Sequence, residues 1–135
     1  MPLNVNLLRQ SFEVVASANP RFVNRFYEIL FERYPQAQPL FPQTGMARQA
    51  EMLTQALVAV LDHLEDAPWL QDTLGALGAK HVGYGVTREM YDWVGASLLA
   101  TLAEVAGPAW TPELQGAWGE AYGAIVPLML ARAGT

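Results

Sequence analysis

Apolar residues recur at intervals of three and four along most of this chain, and this periodicity constrains the fold more than any single residue does. From Phe22 to Phe31 the apolar positions lie on one stripe of a helix. The same spacing returns from Leu53 to Leu64. No segment of the sequence shows the strict alternation of a half-buried strand. The sequence therefore predicts an all-α fold.

Prolines, glycines and capping residues predict where the helices begin and end. Asn19 and Pro20 offer a cap followed by a proline suited to a first helical turn. Three prolines within residues 35–42 leave room only for a short helical turn and an irregular corner. Gly78 and the glycines after it are expected to loosen the chain around His81. We expect helices over about 5–16, 20–35, 46–64, 69 toward 81, 87–107 and from 111 through 129.

The length and charge of the chain limit what it can be. It has 135 residues, which suits a single domain over 1–135 with one buried core. Its net charge is -5 with eight basic residues, so a nucleic-acid partner is not expected. Residues 1–20 show no signal-peptide pattern, and no apolar run is long enough to span a membrane. We therefore expect a soluble, cytoplasmic protein with no membrane partner.

The counts of histidine and cysteine favour one kind of metal site. The chain has two histidines, His63 and His81, and no cysteine. A structural zinc site usually takes about four Cys or His ligands and a catalytic one about three. A porphyrin supplies its own nitrogens, so haem iron needs only one axial ligand from the protein. His81 lies between two long helical segments, where a neutral imidazole could hold iron. His63 is expected at the surface.

Several segments, taken together and in order, resemble the bacterial single-domain globins and the globin domain of flavohaemoglobins. They are FYEILFERYP at 26–35, PLF at 39–41, QAEML at 49–53, KH at 80–81, YDWVG at 91–95 and AWGEAYG at 117–123. The resemblance runs over essentially the whole chain. It implies a globin fold of about six to eight helices around one haem pocket. It also implies haem b, iron protoporphyrin IX, as the cofactor.

The resemblance assigns residues to the two faces of the haem. It implies that His81 is the proximal iron ligand and that the ring of Phe41 stacks on the porphyrin. It implies that Tyr27 and Gln49 donate hydrogen bonds to a ligand on the distal face, each worth about 0.5–1.5 kcal/mol. The other cofactor contacts that it implies are Leu53, Val86, Tyr91 and Val94.

The distal position has two alignments, because the corner after Phe41 varies in length within the family. In one, Gln49 lies one helical turn from Leu53 and on the same face. In the other, Arg48 faces the iron instead. We favour Gln49, because an amide can donate to a ligand without burying a full charge.

One feature of the flavohaemoglobins is missing from this sequence. In those proteins a glutamate of the last helix joins the proximal histidine and the tyrosine that corresponds to Tyr91 in a hydrogen-bond group. Here the equivalent place falls at about Thr135, so a strongly anionic proximal group is not expected. No glycine fingerprint of a flavin- or nicotinamide-binding domain occurs. We therefore expect reduction of the iron to depend on a separate reductase.

The resemblance implies a binding protein. Its expected ligands are dioxygen, nitric oxide and carbon monoxide, bound reversibly at a pentacoordinate ferrous iron for oxygen binding, storage or scavenging. The alternative is an enzyme, a nitric oxide dioxygenase that works with the separate reductase. A ligand sensor and a haem-free helical protein are further alternatives. For the ferric state the sequence leaves three alternatives for the sixth ligand of the iron, which are water, Tyr27 and no ligand.

Overall fold

A computed structural model of the chain describes residues 4–41, 45–83 and 86–131, and all regular structure in these ranges is helical. The α-helices in chain order are α1 (Val5–Ala18), α2 (Phe22–Arg33), α3 (Met46–Asp62), α4 (Ala67–Gly83), α5 (Arg88–Ala106) and α6 (Pro112–Leu130). Short 3-10 helices, Pro35–Leu40 and Gly107–Ala109, precede α3 and α6. The predicted all-α fold is confirmed, and the first 3-10 helix is the short turn expected from the clustered prolines.

The local sequence explains where α1 and α6 begin. The side-chain oxygen of Asn4 accepts a hydrogen bond from the backbone N–H of Leu7 at 3.2 Å. The hydroxyl of Thr111 accepts one from the N–H of Leu114, also at 3.2 Å. Each bond satisfies a first-turn donor that has no partner within its helix. Pro112 occupies the first turn of α6, where its missing N–H costs nothing.

The end of the fourth helix differs from our expectation. The sequence predicted that the chain would loosen at Gly78, but α4 continues through His81 to Gly83. Gly78 is buried and lies against the backbone of Met129 on α6, where a side chain would not fit. Helix packing therefore outweighs the low helix propensity of glycine. His81 consequently lies inside a helix and not in the loop that follows it.

The C-terminal end of α3 is held by contacts from α1 and α4. Arg9 Nε donates to the backbone carbonyl of Leu61 at 2.9 Å, which satisfies one of the last acceptors of α3. His63 follows directly and is half-buried, so it is less exposed than expected. Its ring stacks on Trp69 of α4 with a centroid distance of 3.9 Å.

The core is built mainly where α2 packs on α5 and α4 packs on α6, and α1 crosses α5 and α6. Burying each large apolar side chain contributes roughly 1.5–3 kcal/mol. The most deeply buried members are Leu8, Val15, Phe22, Leu30 and Leu102. One polar contact crosses this core: Trp118 Nε1 donates to the hydroxyl of Ser11 at 2.9 Å, which joins α6 to α1.

Candidate functional site

An apolar cavity of about 230 Å³ is lined by residues from all six α-helices. None of its described lining residues carries a carboxylate, ammonium or guanidinium group. His81 is the lining residue that carries an imidazole. The tyrosine hydroxyls and tryptophan nitrogens supply the other polar side-chain atoms of the wall. Such a space suits an apolar ligand that has one polar or metal centre.

Six of the residues predicted to touch the cofactor line this one cavity. They come from α3, α4, α5 and the connections beside them, and they are Phe41, Leu53, His81, Val86, Tyr91 and Val94. Helix packing therefore brings together side chains that are far apart in the sequence. Their roles toward a cofactor remain predictions.

The imidazole of His81 is oriented by its own helix. Its Nδ1 lies 2.7 Å from the backbone carbonyl of Leu77, one turn earlier on α4. Because a carbonyl can only accept, this distance assigns the proton to Nδ1 and the lone pair to Nε2. A lone pair on Nε2 is what a metal requires of a neutral histidine.

Two tyrosines support the His81 side of the cavity. The ring of Tyr91 lies 6.4 Å from the imidazole of His81, with 26° between the two planes. The hydroxyl of Tyr122 on α6 donates to the backbone carbonyl of Tyr91 at 2.6 Å, which holds the first turn of α5 against α6. Burial raises the pKa of Tyr122 well above its usual range, and ionised Tyr91 or Asp92 beside it would raise this pKa further; burial also raises the pKa of Tyr91. Both phenols are therefore neutral at physiological pH.

The two predicted distal donors are in contact with each other. The amide nitrogen of Gln49 donates to the hydroxyl oxygen of Tyr27 at 3.2 Å. Tyr27 is 5% exposed, and burial raises its pKa, although the bond from Gln49 acts in the opposite direction. The Tyr27 ring packs edge-on against Phe41 with a centroid distance of 5.3 Å.

The structure separates this polar pair from the cavity wall. Neither Tyr27 nor Gln49 is among the residues that line the cavity. Phe41 lines it and carries the contact to Tyr27, and Leu53 lines it one turn after Gln49 on α3. The pair therefore lies behind the wall on the α2–α3 side. Arg48, the alternative to Gln49, is exposed.

Sequence reasoning missed two contributors to this site. The carbonyl of Leu77 orients His81, and the signal for it was the i, i+4 spacing, which applies only once α4 is known to continue past Gly78. Trp93 lines the cavity and stacks on Tyr34 at 5.4 Å with 11° between the planes. Nothing local in the sequence distinguishes Trp93 from an ordinary core aromatic.

Within residues 4–41, 45–83 and 86–131, no group of three or more His, Cys, Asp or Glu side chains is arranged to hold a metal ion. Among these described residues, no helix is both long enough and apolar enough to cross a membrane.

Comparison with known families decides the classification. The family model described as Globin matches residues 24–129. The chain belongs to the globin family. Membership of this family confirms the resemblance seen in the sequence. It also explains the helical architecture and the apolar cavity that contains a histidine. Globins are, in general, haem proteins.

Relatives of known sequence include flavohemoproteins. The one from Rhodopirellula baltica is 31% identical over 132 residues, which is 96% of this globin and 32% of the relative. The one from Bacillus thuringiensis is 34% identical over 128 residues, covering 88% of this globin and 31% of the relative. This globin thus spans about a third of the length of these curated relatives.

Solved structures agree with the fold. A bacterial globin from Campylobacter jejuni superposes with a TM-score of 0.82 at 24% identity, covering 96% of this globin and 93% of that chain. A Rhodothermus marinus protein, named as a candidate nitric oxide dioxygenase and engineered as a carbene transferase, gives a TM-score of 0.82 at 29% identity. The alignment covers 96% of this globin and 89% of that protein. The expected globin fold is confirmed.

Proposed function

We propose that this globin, as one domain over residues 1–135, binds haem b in the apolar cavity through Nε2 of His81. The observation that carries the proposal is the hydrogen bond from His81 Nδ1 to the Leu77 carbonyl, at 2.7 Å, within a cavity that has no charged lining side chain. That bond assigns the lone pair to the nitrogen that a metal needs. The protein then supplies one axial ligand, in keeping with its two histidines and absent cysteines.

The chemistry of the cavity wall fits the macrocycle. A porphyrin is flat and apolar, so Phe41 offers a ring for stacking, and Leu53, Val86 and Val94 offer aliphatic contact. The ring of Tyr91, stacked beside the imidazole at 6.4 Å, would help to hold the orientation of the ring that binds the iron. An apolar wall disfavours water, and the lower local dielectric would strengthen each hydrogen bond inside.

The proposed function is reversible binding of dioxygen, nitric oxide and carbon monoxide. Haem supplies the pentacoordinate ferrous iron at which these gases bind. Tyr27 and Gln49 are the proposed donors on the distal side. Gln49 donates to the Tyr27 oxygen, so the phenol retains its own O–H as a donor toward a ligand with partial negative charge. For this role the phenol must reach past Phe41, against which its ring packs.

A second candidate function is nitric oxide dioxygenase activity. The similarity to flavohemoproteins and to the Rhodothermus marinus protein favours it. In this reaction dioxygen, nitric oxide and one electron give nitrate, and a separate reductase returns the iron to the ferrous state. This globin covers only about a third of its curated relatives, so the reductase is part of the proposal. We propose a cytoplasmic location, where reduced electron carriers are available, with no nucleic-acid or membrane partner.

The decisive experiment is the visible absorption spectrum after haem supplementation, recorded in the ferric, ferrous and carbon monoxide-bound states. His81→Ala is compared with His63→Ala, because these are the two histidines of the chain. We expect a Soret band that shifts with carbon monoxide in the wild type and in His63→Ala, and its loss or displacement in His81→Ala. Equal spectra for the two variants contradict His81 as the ligand.

The two candidate functions are separated by turnover. The haem-loaded protein is mixed with dioxygen and nitric oxide in the presence of a purified reductase, and nitrate is measured. Nitrate in large excess over protein supports the dioxygenase. A single equivalent of nitrate, with the iron left ferric despite the reductase, restricts the protein to ligand binding.

A further inference from the structure

Gly78 makes a backbone-to-backbone contact between α4 and α6. It is buried, and it lies one helical turn before His81. A Cβ at this position would overlap the carbonyl oxygen of Met129, and it would lie 2.5 Å from the carbonyl carbon and 2.8 Å from the Cα of that residue. Contacts between non-bonded carbons are optimal at about 3.5–4.0 Å. No side chain fits between the two helices here.

The atoms that would meet the Cβ belong to the backbone of a helix, so they cannot rotate away as a side-chain end would. Met129 lies in the last turn of α6, where carbonyl groups have no partner within the helix. The hydrogens on the Gly78 Cα thus face one of these acceptors at very close range, a contact that recurs where helices pack closely. Any larger residue must push α4 away from α6.

The contact bears directly on the imidazole of His81. Residues three apart in a helix lie on the same face, so Gly78 and His81 share the face of α4 that meets α6 and the cavity. The carbonyl that orients the imidazole belongs to Leu77, the residue next to Gly78. A shift of this turn of α4 therefore moves both the ring and the acceptor that orients it.

We propose that Gly78 is a positioning residue, which sets the position of the His81 imidazole by seating α4 on the backbone of Met129. The proposal rests on the proposed function, in which His81 binds haem iron. A contact that only stabilised the fold would change the free energy of unfolding alone. A positioning contact also changes the bond between iron and Nε2.

The test compares Gly78→Ala with Gly123→Ala in the haem-loaded, ferrous protein. The control is a helical glycine at which an added Cβ has no atom within 4 Å. The iron–Nε2 stretching band is measured by resonance Raman spectroscopy. We expect a shifted and broadened band and at least about tenfold faster haem loss, equivalent to roughly 1.4 kcal/mol, for Gly78→Ala. Gly123→Ala should match the wild type in both measurements.

A second pair of variants removes the covalent link between the imidazole and α4. In His81→Gly, free imidazole binds the iron without a tether, and we expect its stretching band to differ from that of the wild type. Adding Gly78→Ala to His81→Gly should then leave the imidazole band unchanged. This pair of variants also tests the proposal if Gly78→Ala alone does not fold. If the band of free imidazole in His81→Gly is identical to the iron–Nε2 band of the wild type, the proposal is overturned.

The outcomes separate the two proposals. A wild-type protein that takes up no haem contradicts the proposed function. A wild type that binds haem, with equal bands in Gly78→Ala and Gly123→Ala, leaves the proposed function standing and overturns the positioning role. Truncating the Met129 side chain to alanine should not restore the Gly78→Ala band, since the conflict is with the Met129 backbone.

Discussion

The side-chain amide of Gln49 on α3 donates a hydrogen bond to the phenolic oxygen of Tyr27 on α2 across 3.2 Å. The bond leaves the phenol O–H as a donor, so the effect of Gln49 on a bound gas should pass through Tyr27. The two residues form one hydrogen-bonded unit, and their substitutions should therefore be non-additive.

Tyr27→Phe should raise the dissociation rate of dioxygen. Losing one hydrogen bond of about 0.5–1.5 kcal/mol corresponds to an increase of about twofold to tenfold. Gln49→Val should raise the rate less, and the double variant should behave like Tyr27→Phe. The rates are measured by stopped-flow displacement of dioxygen with carbon monoxide. Carbon monoxide dissociation is the internal control, because that ligand carries little negative charge. Unchanged dioxygen rates in both single variants would exclude the pair as distal donors.

Phe41→Ala should speed the loss of haem, since it removes a ring from the cavity wall. Truncating a fully buried phenylalanine costs about 3–5 kcal/mol; Phe41 is half-buried, so its cost should be smaller, and part of it should appear as weaker cofactor binding. Phe12→Ala is the matched control, because Phe12 packs on Phe22 at 5.6 Å and does not line the cavity. Haem transfer to an excess of another apoglobin gives the rate. Equal acceleration in both variants would mean that the effect comes from general destabilisation.

Alkaline pH should destabilise the fold through its buried tyrosines. Burial raises the pKa of Tyr27 and of Tyr122 above the usual value of about 10. Above pH 10 the unfolded chain releases these protons and the folded chain keeps them, so unfolding is favoured as the pH rises. Each phenol contributes up to about 1.4 kcal/mol per pH unit. The free energy of unfolding, measured with urea on the haem-free protein between pH 9 and 12, should therefore fall less steeply with pH for Tyr122→Phe than for the wild type. If neither Tyr27→Phe nor Tyr122→Phe changes this dependence of the unfolding free energy on pH, other titrating groups cause it.

The sequence predicted most of the helices and several of the residues that line the cavity, because these depend on local spacing or on segments that resemble the globins. The apolar stripe from Phe22 to Phe31 became α2, and Phe41, Leu53 and His81 came to line one cavity. Helical periodicity predicted the first of these outcomes, and the family resemblance predicted the second.

The remaining features depend on contacts between distant segments. Local propensity indicated a break at Gly78, but the backbone of Met129, far along the chain, makes glycine the residue that fits there. The packing of the Tyr27 ring against Phe41, outside the cavity wall, likewise depends on how α2 meets the corner before α3. Gly78 and Met129 are too far apart for one sequence window, and helical periodicity does not specify how Tyr27 meets Phe41 across the proline-rich corner, so neither contact could be predicted locally.

The bond between Trp118 and Ser11 provides a test of the fold that is independent of haem. Both residues are buried, and the indole N–H donates to the serine hydroxyl at 2.9 Å. Ser11→Ala leaves that N–H buried without its acceptor, which should lower the free energy of unfolding by about 1–3 kcal/mol. Ser17→Ala, at an exposed position of the same helix, is the control and should change it by less than about 0.5 kcal/mol.

Trp118→Phe removes the donor, so the cost of Ser11→Ala should become smaller in the Trp118→Phe background than in the wild type. The measurement is urea unfolding of the haem-free protein, followed by circular dichroism. Because the bond joins α1 to α6 and Ser11 does not line the cavity, Ser11→Ala should also leave the dioxygen dissociation rate unchanged in the haem-loaded protein. Equal costs of Ser11→Ala in the two backgrounds would show that the serine stabilises α1 through its bond to the Leu7 carbonyl and not through the indole.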